Sequence, residues 1–144
     1  MRKSFLLALF LCLVSFTWAQ AQKGSPIGTW VNADGKAHIE IYQNGDKLFG
    51  KIVWLKEPNR NGKPKQDMHN PDPKLQQRPI LGMVMLRDFE PAGNGKWEDG
   101  KIYDPESGKE YSCYMKMLGA DKMEVKGYIG ISLIGRSQTW TRVK

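Results

Sequence analysis

Short runs of β-branched, aromatic and methionine residues, separated by turn residues at fairly regular spacing, constrain the fold of this sequence most. Helical periodicity is almost absent after residue 21, whereas apolar residues alternate with others in several runs. In residues 110–118, Tyr111, Cys113, Met115 and Met117 fall on one face of a predicted strand. Many short strands at even spacing predict a β-sandwich or a β-barrel.

The sequence predicts eight strands in an all-β domain. Asn44-Gly45, Gly93-Asn94-Gly95 and residues 104–108 are strong turn sequences between them. The connections favour an antiparallel up-and-down order, and closure into a barrel removes the exposed edges of such a meander. An eight-stranded barrel can be packed with side chains or can hold one small ligand. The predicted strands cover residues 27–32, 36–43, 47–55, 80–89, 96–103, 110–118, 122–129 and 136–143.

A long polar segment, residues 56–79, interrupts this meander after the third strand. Its prolines are Pro58, Pro64, Pro71, Pro73 and Pro79. Proline cannot donate to a β-ladder, so the segment is predicted to be a loop, either a lid or binding loop or a disordered one. Its six basic residues outnumber its three acidic ones. Such a basic loop can attract an anionic partner, although an ordinary solvated loop is the simpler interpretation.

The amino terminus has the pattern of a secretory signal peptide. Basic residues Arg2 and Lys3 precede an apolar run over residues 5–16, and small residues follow at Ala19 and Ala21. The run is shorter than the ~20 residues that a membrane-spanning helix needs. We therefore expect residues 1–21 to be removed near Ala21, residues 22–144 to form a single domain, and the protein to be periplasmic or secreted and not membrane-spanning.

Motifs for catalysis or cofactor binding are absent from the sequence. It has two histidines and no nucleophile elbow, phosphate-binding loop or dinucleotide fingerprint. Cys113 is the single cysteine after residue 21, so no internal disulfide is expected and the thiol is interpreted as a small buried apolar group. Asp67, His69 and Asp72 could ligate a cation, but loop carboxylates near a histidine are common. The sequence predicts no catalytic residue, metal ligand, cofactor or nucleic-acid site.

Methionines at alternating positions suggest an adaptable interior. Met83, Met85, Met115, Met117 and Met123 fall on three predicted strands that would be neighbours. Thioether side chains suit a ligand of variable shape, and they suit an ordinary packed core equally well. The residues predicted to lie in the interior or at its mouth, and so to bind a ligand, are Trp54, Arg78, Met115, Met117, Met123 and Tyr128.

Six segments of the sequence form a specific pattern: residues 27–30 (Ile-Gly-Thr-Trp), 39–42, 48–53, 78–82, 100–109 and the long block 127–142. Together they resemble one bacterial exported family, the domain-of-unknown-function family 2147. The resemblance spans nearly all of the chain after the predicted signal peptide and implies a protein of the Gram-negative envelope. Many relatives carry paired cysteines where this chain has residues 56–79 without cysteine, so no redox or metal role is inherited from them.

A second similarity concerns the ends of the predicted barrel. Gly28-Thr29-Trp30 resembles the Gly-x-Trp opening of lipocalins and other calycins, and Arg142 stands where an arginine of their last strand packs over that tryptophan. This resemblance implies a lipocalin-like barrel. A guanidinium over an indole face is a favourable cation–π contact, so we predict that Trp30 and Arg142 touch.

Two functional hypotheses follow for this protein. The first is a non-enzymatic barrel that binds a small apolar or amphipathic ligand, with residues 56–79 as its lid or rim. The alternative is a packed barrel that acts as an interaction or structural protein and engages an anionic envelope component through its basic loop. An enzyme is the least favoured class, because it would need polar groups that converge on a pocket and the sequence offers no motif for catalysis.

Overall fold

The computed structural model describes residues 24–129 and 135–144. The predicted signal peptide lies outside these residues. The described part is built from strands and one turn of 3₁₀ helix at Pro73–Leu75, and it contains no helix long and apolar enough to cross a membrane. The strands are β1 (Gly28–Val31), β2 (Ala37–Asn44), β3 (Lys47–Leu55), β4 (Asn59–Arg60), β5 (Lys63–Pro64), β6 (Val84–Gly93), β7 (Lys96–Asp104), β8 (Lys109–Met117), β9 (Lys122–Tyr128) and β10 (Gly135–Arg142).

Eight of these strands form a closed antiparallel barrel in the order β1-β10-β9-β8-β7-β6-β3-β2. Strands that follow one another along the wall are mostly consecutive in sequence, so the predicted eight-stranded up-and-down barrel is confirmed. Between β1 and β10 the paired residues are Trp30 with Arg142 and Val31 with Thr141. The barrel closes through these two pairs. The rest of β10 extends beyond the end of the short β1 and has no paired strand on that side among the described residues.

Alternation along the strands separates an inner face from an outer face. The inner face carries most of the hydrophobic core, including Ile39, Leu86, Phe89, Met115 and Val125, each at most 3% exposed. Gly50 also lies on this face, where an added Cβ would come within 2.8 Å of the Leu86 side chain. Close packing of this kind leaves little free space around these residues.

The two ends of the barrel differ. At the closed end, where β1 begins and β10 ends, the Arg142 guanidinium lies 4.4 Å from the centre of the Trp30 ring, so the predicted contact is confirmed. The Trp30 indole N–H also donates to the carbonyl of Pro26 at 2.8 Å. The open end lies opposite and holds the β7–β8 turn and the long loop between β3 and β6.

The long loop contains more structure than its composition predicts. Asn61 and Gly62 adopt positive φ angles of 53° and 75°, and they turn β4 into β5. The expectation that residues 56–79 contain no strand is therefore wrong at this hairpin, because an Asn-Gly pair forms a tight turn without help from the barrel. The strand predicted to begin at residue 80 begins instead at Val84, since Met83 N–H donates back to the carbonyl of Ile80 in a turn.

Candidate functional site

The three predicted methionines lie together on the inner face. Met117 pairs with Met123, Met115 pairs with Val125, and each methionine is at most 1% exposed. Met123 in turn pairs with Trp140, which is also buried. These methionines lie in the middle and closed half of the barrel as part of the hydrophobic core. These buried methionines therefore close the interior of the barrel below its open end.

The inner face of β10 changes from a buried apolar side chain to exposed polar side chains towards the open end. Trp140 is 1% exposed, whereas Gln138 and Arg136, two and four residues earlier on the same face, are exposed. Their inner-face position follows from the register, since Gln138 pairs with buried Val125 and Arg136 pairs with Gly127. Trp140 Nε1 donates to Gln138 Oε1 at 3.1 Å. The barrel is therefore solvent-accessible along the upper part of β10.

Strands β7, β8 and β9 supply an apolar wall next to these two polar side chains. Ile102 pairs with Tyr111, and both side chains are half-buried. Gly127 lies beside them, because an added Cβ would stand 3.4 Å from Ile102 Cγ2 and 3.6 Å from Tyr111 Cβ. We call Ile102, Tyr111, Gly127, Arg136 and Gln138 the mouth residues. They combine an aliphatic and an aromatic surface with a guanidinium and an amide.

Three of the six predicted ligand-binding residues, which were expected in the interior or at its mouth, instead have their side chains on the outer side of the barrel wall. Trp54 is 42% exposed and stacks on His38 with ring centres 4.3 Å apart, because the register shift between His38 and Ile39 turns it outwards. Tyr128 follows the inner position Gly127 and therefore faces outwards, 6.4 Å from the Tyr114 ring centre. Arg78 lies over the outer face of β7.

Arg78 belongs to a network that fastens the long loop to the barrel wall. The fully buried carboxylate of Asp67 accepts hydrogen bonds from the Tyr103 hydroxyl at 2.6 Å, Asn70 Nδ2 at 2.8 Å and Arg78 Nε at 2.9 Å. The Arg78 guanidinium also lies 5.5 Å from the centre of the Tyr103 ring. Burial and the adjacent Asp67 carboxylate raise the pKa of Tyr103 to about 12.

The same network closes one side of an open cleft of about 390 Å³ outside the barrel. Its lining residues are Asn70, Pro71, Leu75, Arg78, Tyr103, Gly108 and Glu110. Most of its polar groups already have partners in the protein, since Glu110 accepts from Arg87 at 2.6 and 3.2 Å and Asp67 holds the others. The cleft therefore follows from the attachment of the long loop to the barrel wall. Loop attachment does not account for the exposed polar side chains among the mouth residues.

The Asp67 contacts also bear on the cation considered for the loop. Both carboxylate oxygens already accept hydrogen bonds, Oδ1 from Tyr103 and Oδ2 from Asn70 and Arg78. In the described part of the chain, no group of three His, Cys, Asp or Glu side chains is placed to hold a metal ion. Asp67 thus acts in this structure as a structural acceptor.

The barrel as a whole matches a known protein family. Residues 28–142 match the model of the family DUF2147, described as an uncharacterized protein conserved in bacteria. The chain belongs to DUF2147. The matched range begins and ends with β1 and β10, so the DUF2147 domain corresponds to the closed barrel. No curated protein matches the sequence.

One solved structure shares the fold of this DUF2147 protein. It is protein HP1028 from the human pathogen Helicobacter pylori, described as belonging to the lipocalin family. The two structures superpose with a TM-score of 0.74 over 84% of each chain, at 24% sequence identity. At this identity the similarity establishes the fold, and the lipocalin-like architecture predicted from the sequence is confirmed.

None of the five mouth residues was among the predicted ligand-binding residues. Tyr111 had been placed on the correct face with Cys113, but its half-exposed position was not foreseen. Counting back in steps of two from Trp140 identifies Gln138 and Arg136 as inward-facing. No signal in the sequence indicates that β1 ends early enough to leave them exposed.

Proposed function

We propose that this DUF2147 protein binds a small amphipathic molecule at the open end of its barrel, without chemical turnover. The observation that carries the proposal is the change along β10 from buried Trp140 to exposed Gln138 and Arg136 on one inner face. Ligand sites are typically apolar concave surfaces with a few convergent polar groups, and the mouth residues have this composition.

Each group at the mouth has a distinct part in such binding. Ile102 and Tyr111 offer the apolar surface for a hydrocarbon or ring. Arg136 supplies a planar cation that can hold a carboxylate or phosphate through two parallel hydrogen bonds. An anionic head group at Arg136 with its apolar part against Tyr111 fits this arrangement. The lipocalin-like fold supports small-molecule binding in general, and the site-specific part of the proposal rests on these side chains.

Titration with a fluorescent fatty acid, dansylaminoundecanoic acid, tests the proposal. We expect saturable binding that Arg136→Gln weakens by roughly tenfold, since one charge-assisted contact of about 1.4 kcal/mol is lost. Gly127→Val should reduce binding further because its side chain fills space between Ile102 and Tyr111. Lys126→Gln is the matched control, because Lys126 neighbours Gly127 on the outer face.

Two results would reject a site at the mouth. One is an absence of saturable binding by a folded barrel. The other is equal affinity in the wild type, Arg136→Gln and Gly127→Val. Circular dichroism spectra of the variants establish that each retains the β-barrel before affinities are compared.

We also propose that the protein is exported and loses residues 1–21. The basic start, the apolar run over residues 5–16 and the small residues Ala19 and Ala21 support this proposal. Amino-terminal sequencing of the protein from the periplasmic or secreted fraction should begin at Gln22. Replacing Ala19 and Ala21 by arginine should leave the precursor unprocessed, and a wild-type protein that keeps Met1 in the cytosol would refute export.

A further inference from the structure

An exposed apolar surface lies on the outer wall of the barrel near its open end. Val53, Trp54, Leu81 and Val84 are 37–49% exposed, and we call them the apolar patch. The backbone brings their segments together, because Gly82 N–H donates to the Ile52 carbonyl at 2.7 Å and Ile52 N–H donates to the Met83 carbonyl at 2.9 Å. These side chains are not required to fill the core, which the inner-face residues already form.

A basic hairpin, residues 56–65, continues directly from this patch. It carries four basic residues and one acidic residue, Glu57, which pairs with Lys65 at 3.9 Å. Lys56, Arg60 and Lys63 are exposed, and among the described residues none of them forms an ion pair. The patch and the hairpin are adjacent, since Lys56 lies two residues after Trp54 and Ile80 N–H donates to the Lys65 carbonyl at 3.0 Å.

We infer that this surface docks the barrel onto an anionic lipid membrane. Tryptophan is enriched at membrane–water interfaces, and exposed Trp54 with its apolar neighbours can enter the headgroup region. Cations near an anionic lipid surface each contribute about 1 kcal/mol, equivalent to roughly a fivefold change in binding. The three unpaired cations lie on the hairpin that continues from the patch. Insertion of the apolar side chains and attraction of the cations to anionic headgroups therefore act on the same side of the barrel.

The inference goes beyond the proposed ligand binding and does not depend on it. Mouth residues such as Arg136 lie on the inner face, whereas the patch and the hairpin lie outside the barrel. Loss of ligand binding in Arg136→Gln therefore leaves membrane docking intact, and loss of docking through changes at Trp54 leaves the ligand affinity unchanged. A nucleic-acid or protein partner matches this surface less well, since exposed apolar side chains and cations without ion-pair partners among the described residues lie next to each other on it.

Vesicle flotation tests the inference. The full chain and the chain beginning at Gln22 are compared, so that binding through the apolar run of residues 5–16 is recognised. We expect binding to vesicles that contain phosphatidylglycerol, weak binding to phosphatidylcholine vesicles, and release at high salt. Lys56→Gln with Lys63→Gln should lower partitioning about 30-fold. The control pair, Lys116→Gln with Lys122→Gln, changes two exposed lysines at the closed end.

Trp54 provides the second readout. Trp54→Ser should reduce binding at least tenfold, whereas Leu118→Ser, at a somewhat more exposed apolar position at the closed end, should not. Brominated phosphatidylglycerol should quench wild-type fluorescence, and this quenching should disappear in Trp54→Ser. Equal binding to phosphatidylcholine and phosphatidylglycerol vesicles, equal losses in test and control variants, or no binding by the chain beginning at Gln22 would each overturn the inference.

Discussion

The ring of Phe89 lies directly over Gly100 on the inner wall of the barrel. A Cβ built on Gly100 would stand 2.5 Å from three atoms of that ring, well inside van der Waals contact. Phe89 itself is fully buried. The absence of a side chain at Gly100 therefore leaves room for the Phe89 ring on the inner face of the barrel.

The first prediction follows from this contact. Gly100→Ala should lower the free energy of unfolding by about 2 kcal/mol, because the methyl group forces Phe89 off its present position. Phe89→Leu in the same chain should recover part of the loss, since the smaller side chain leaves room for the new methyl. Urea denaturation of the two single variants and the double variant measures the coupling. Strictly additive losses would show that the two residues do not compete for space.

The second prediction concerns the closed end. Besides its contact with Trp30, Arg142 donates to the carbonyls of Ala120 at 2.9 Å, Ile27 at 3.0 Å and Ser25 at 2.6 Å. Lysine lacks the planar fork of donors, so Arg142→Lys should cost about 2 kcal/mol of stability despite keeping the charge. Guanidinium denaturation measures this loss, with Lys144→Gln as the control for charge removed nearby. An unchanged midpoint in Arg142→Lys would contradict a role for the fork geometry.

The third prediction concerns the attachment of the long loop. Asp67→Ala removes the acceptor shared by Tyr103, Asn70 and Arg78, and leaves buried donors unpaired at a cost of about 3 kcal/mol. The loop should then detach and expose the peptide bonds after Lys65 and Lys74 to trypsin while the barrel persists. Limited proteolysis followed by mass spectrometry identifies the cleavage sites. Asp34→Ala, in the exposed β1–β2 turn, should leave the cleavage rate unchanged.

The barrel and its ends follow from the sequence because strand alternation and turn chemistry are local. The direction of the Trp54 side chain could not be predicted in this way. Regular alternation from Ile52 places Trp54 inside, but the register shift opposite His38 adds one residue to β3 and reverses its direction. Nothing in the sequence marks that shift. The β4–β5 hairpin is different, since its Asn61-Gly62 pair is a local turn signal that lies in a segment predicted to be a loop from its prolines.

The location of the site depended on relationships that no local pattern encodes. Arg78 was expected in the interior or at its mouth, but it donates to Asp67 outside the barrel. Asp67 also accepts a hydrogen bond from Tyr103, 36 positions away along the chain, which fixes this pair to the outer wall. Contacts of this range arise from the path of the loop across the barrel wall. The mouth residues likewise depend on where β1 stops relative to β10, which is a property of the closed barrel rather than of either strand.

The fourth prediction is a loss of stability at alkaline pH. Burial raises the pKa of Tyr103 and of Tyr114 to about 12, with hydrogen bonds to Asp67 and Glu124 acting in the same direction. Tyrosine has a pKa near 10 when unfolded, so both groups stabilise the fold fully below pH 10, and this contribution is lost as the pH rises towards about 12. Absorbance at ~295 nm should therefore show two late-titrating tyrosines. Tyr103→Phe and Tyr114→Phe should each remove one of them, and simultaneous titration of all tyrosines near pH 10 in the folded protein would refute the assignment.

The fifth prediction concerns the thiol of Cys113. This side chain is fully buried on the inner face opposite Gly100 and Gly127, and burial raises its pKa to about 12. At neutral pH the thiol is therefore protonated and inaccessible, and both conditions suppress reaction because the thiolate is the nucleophile. In a chain carrying Cys12→Ser, a disulfide reagent should react with Cys113 only at the rate at which the barrel opens, and at once in denaturant. Rapid modification of the native protein, with its β-sheet signal unchanged, would mean that solvent reaches the middle of the barrel from the open end.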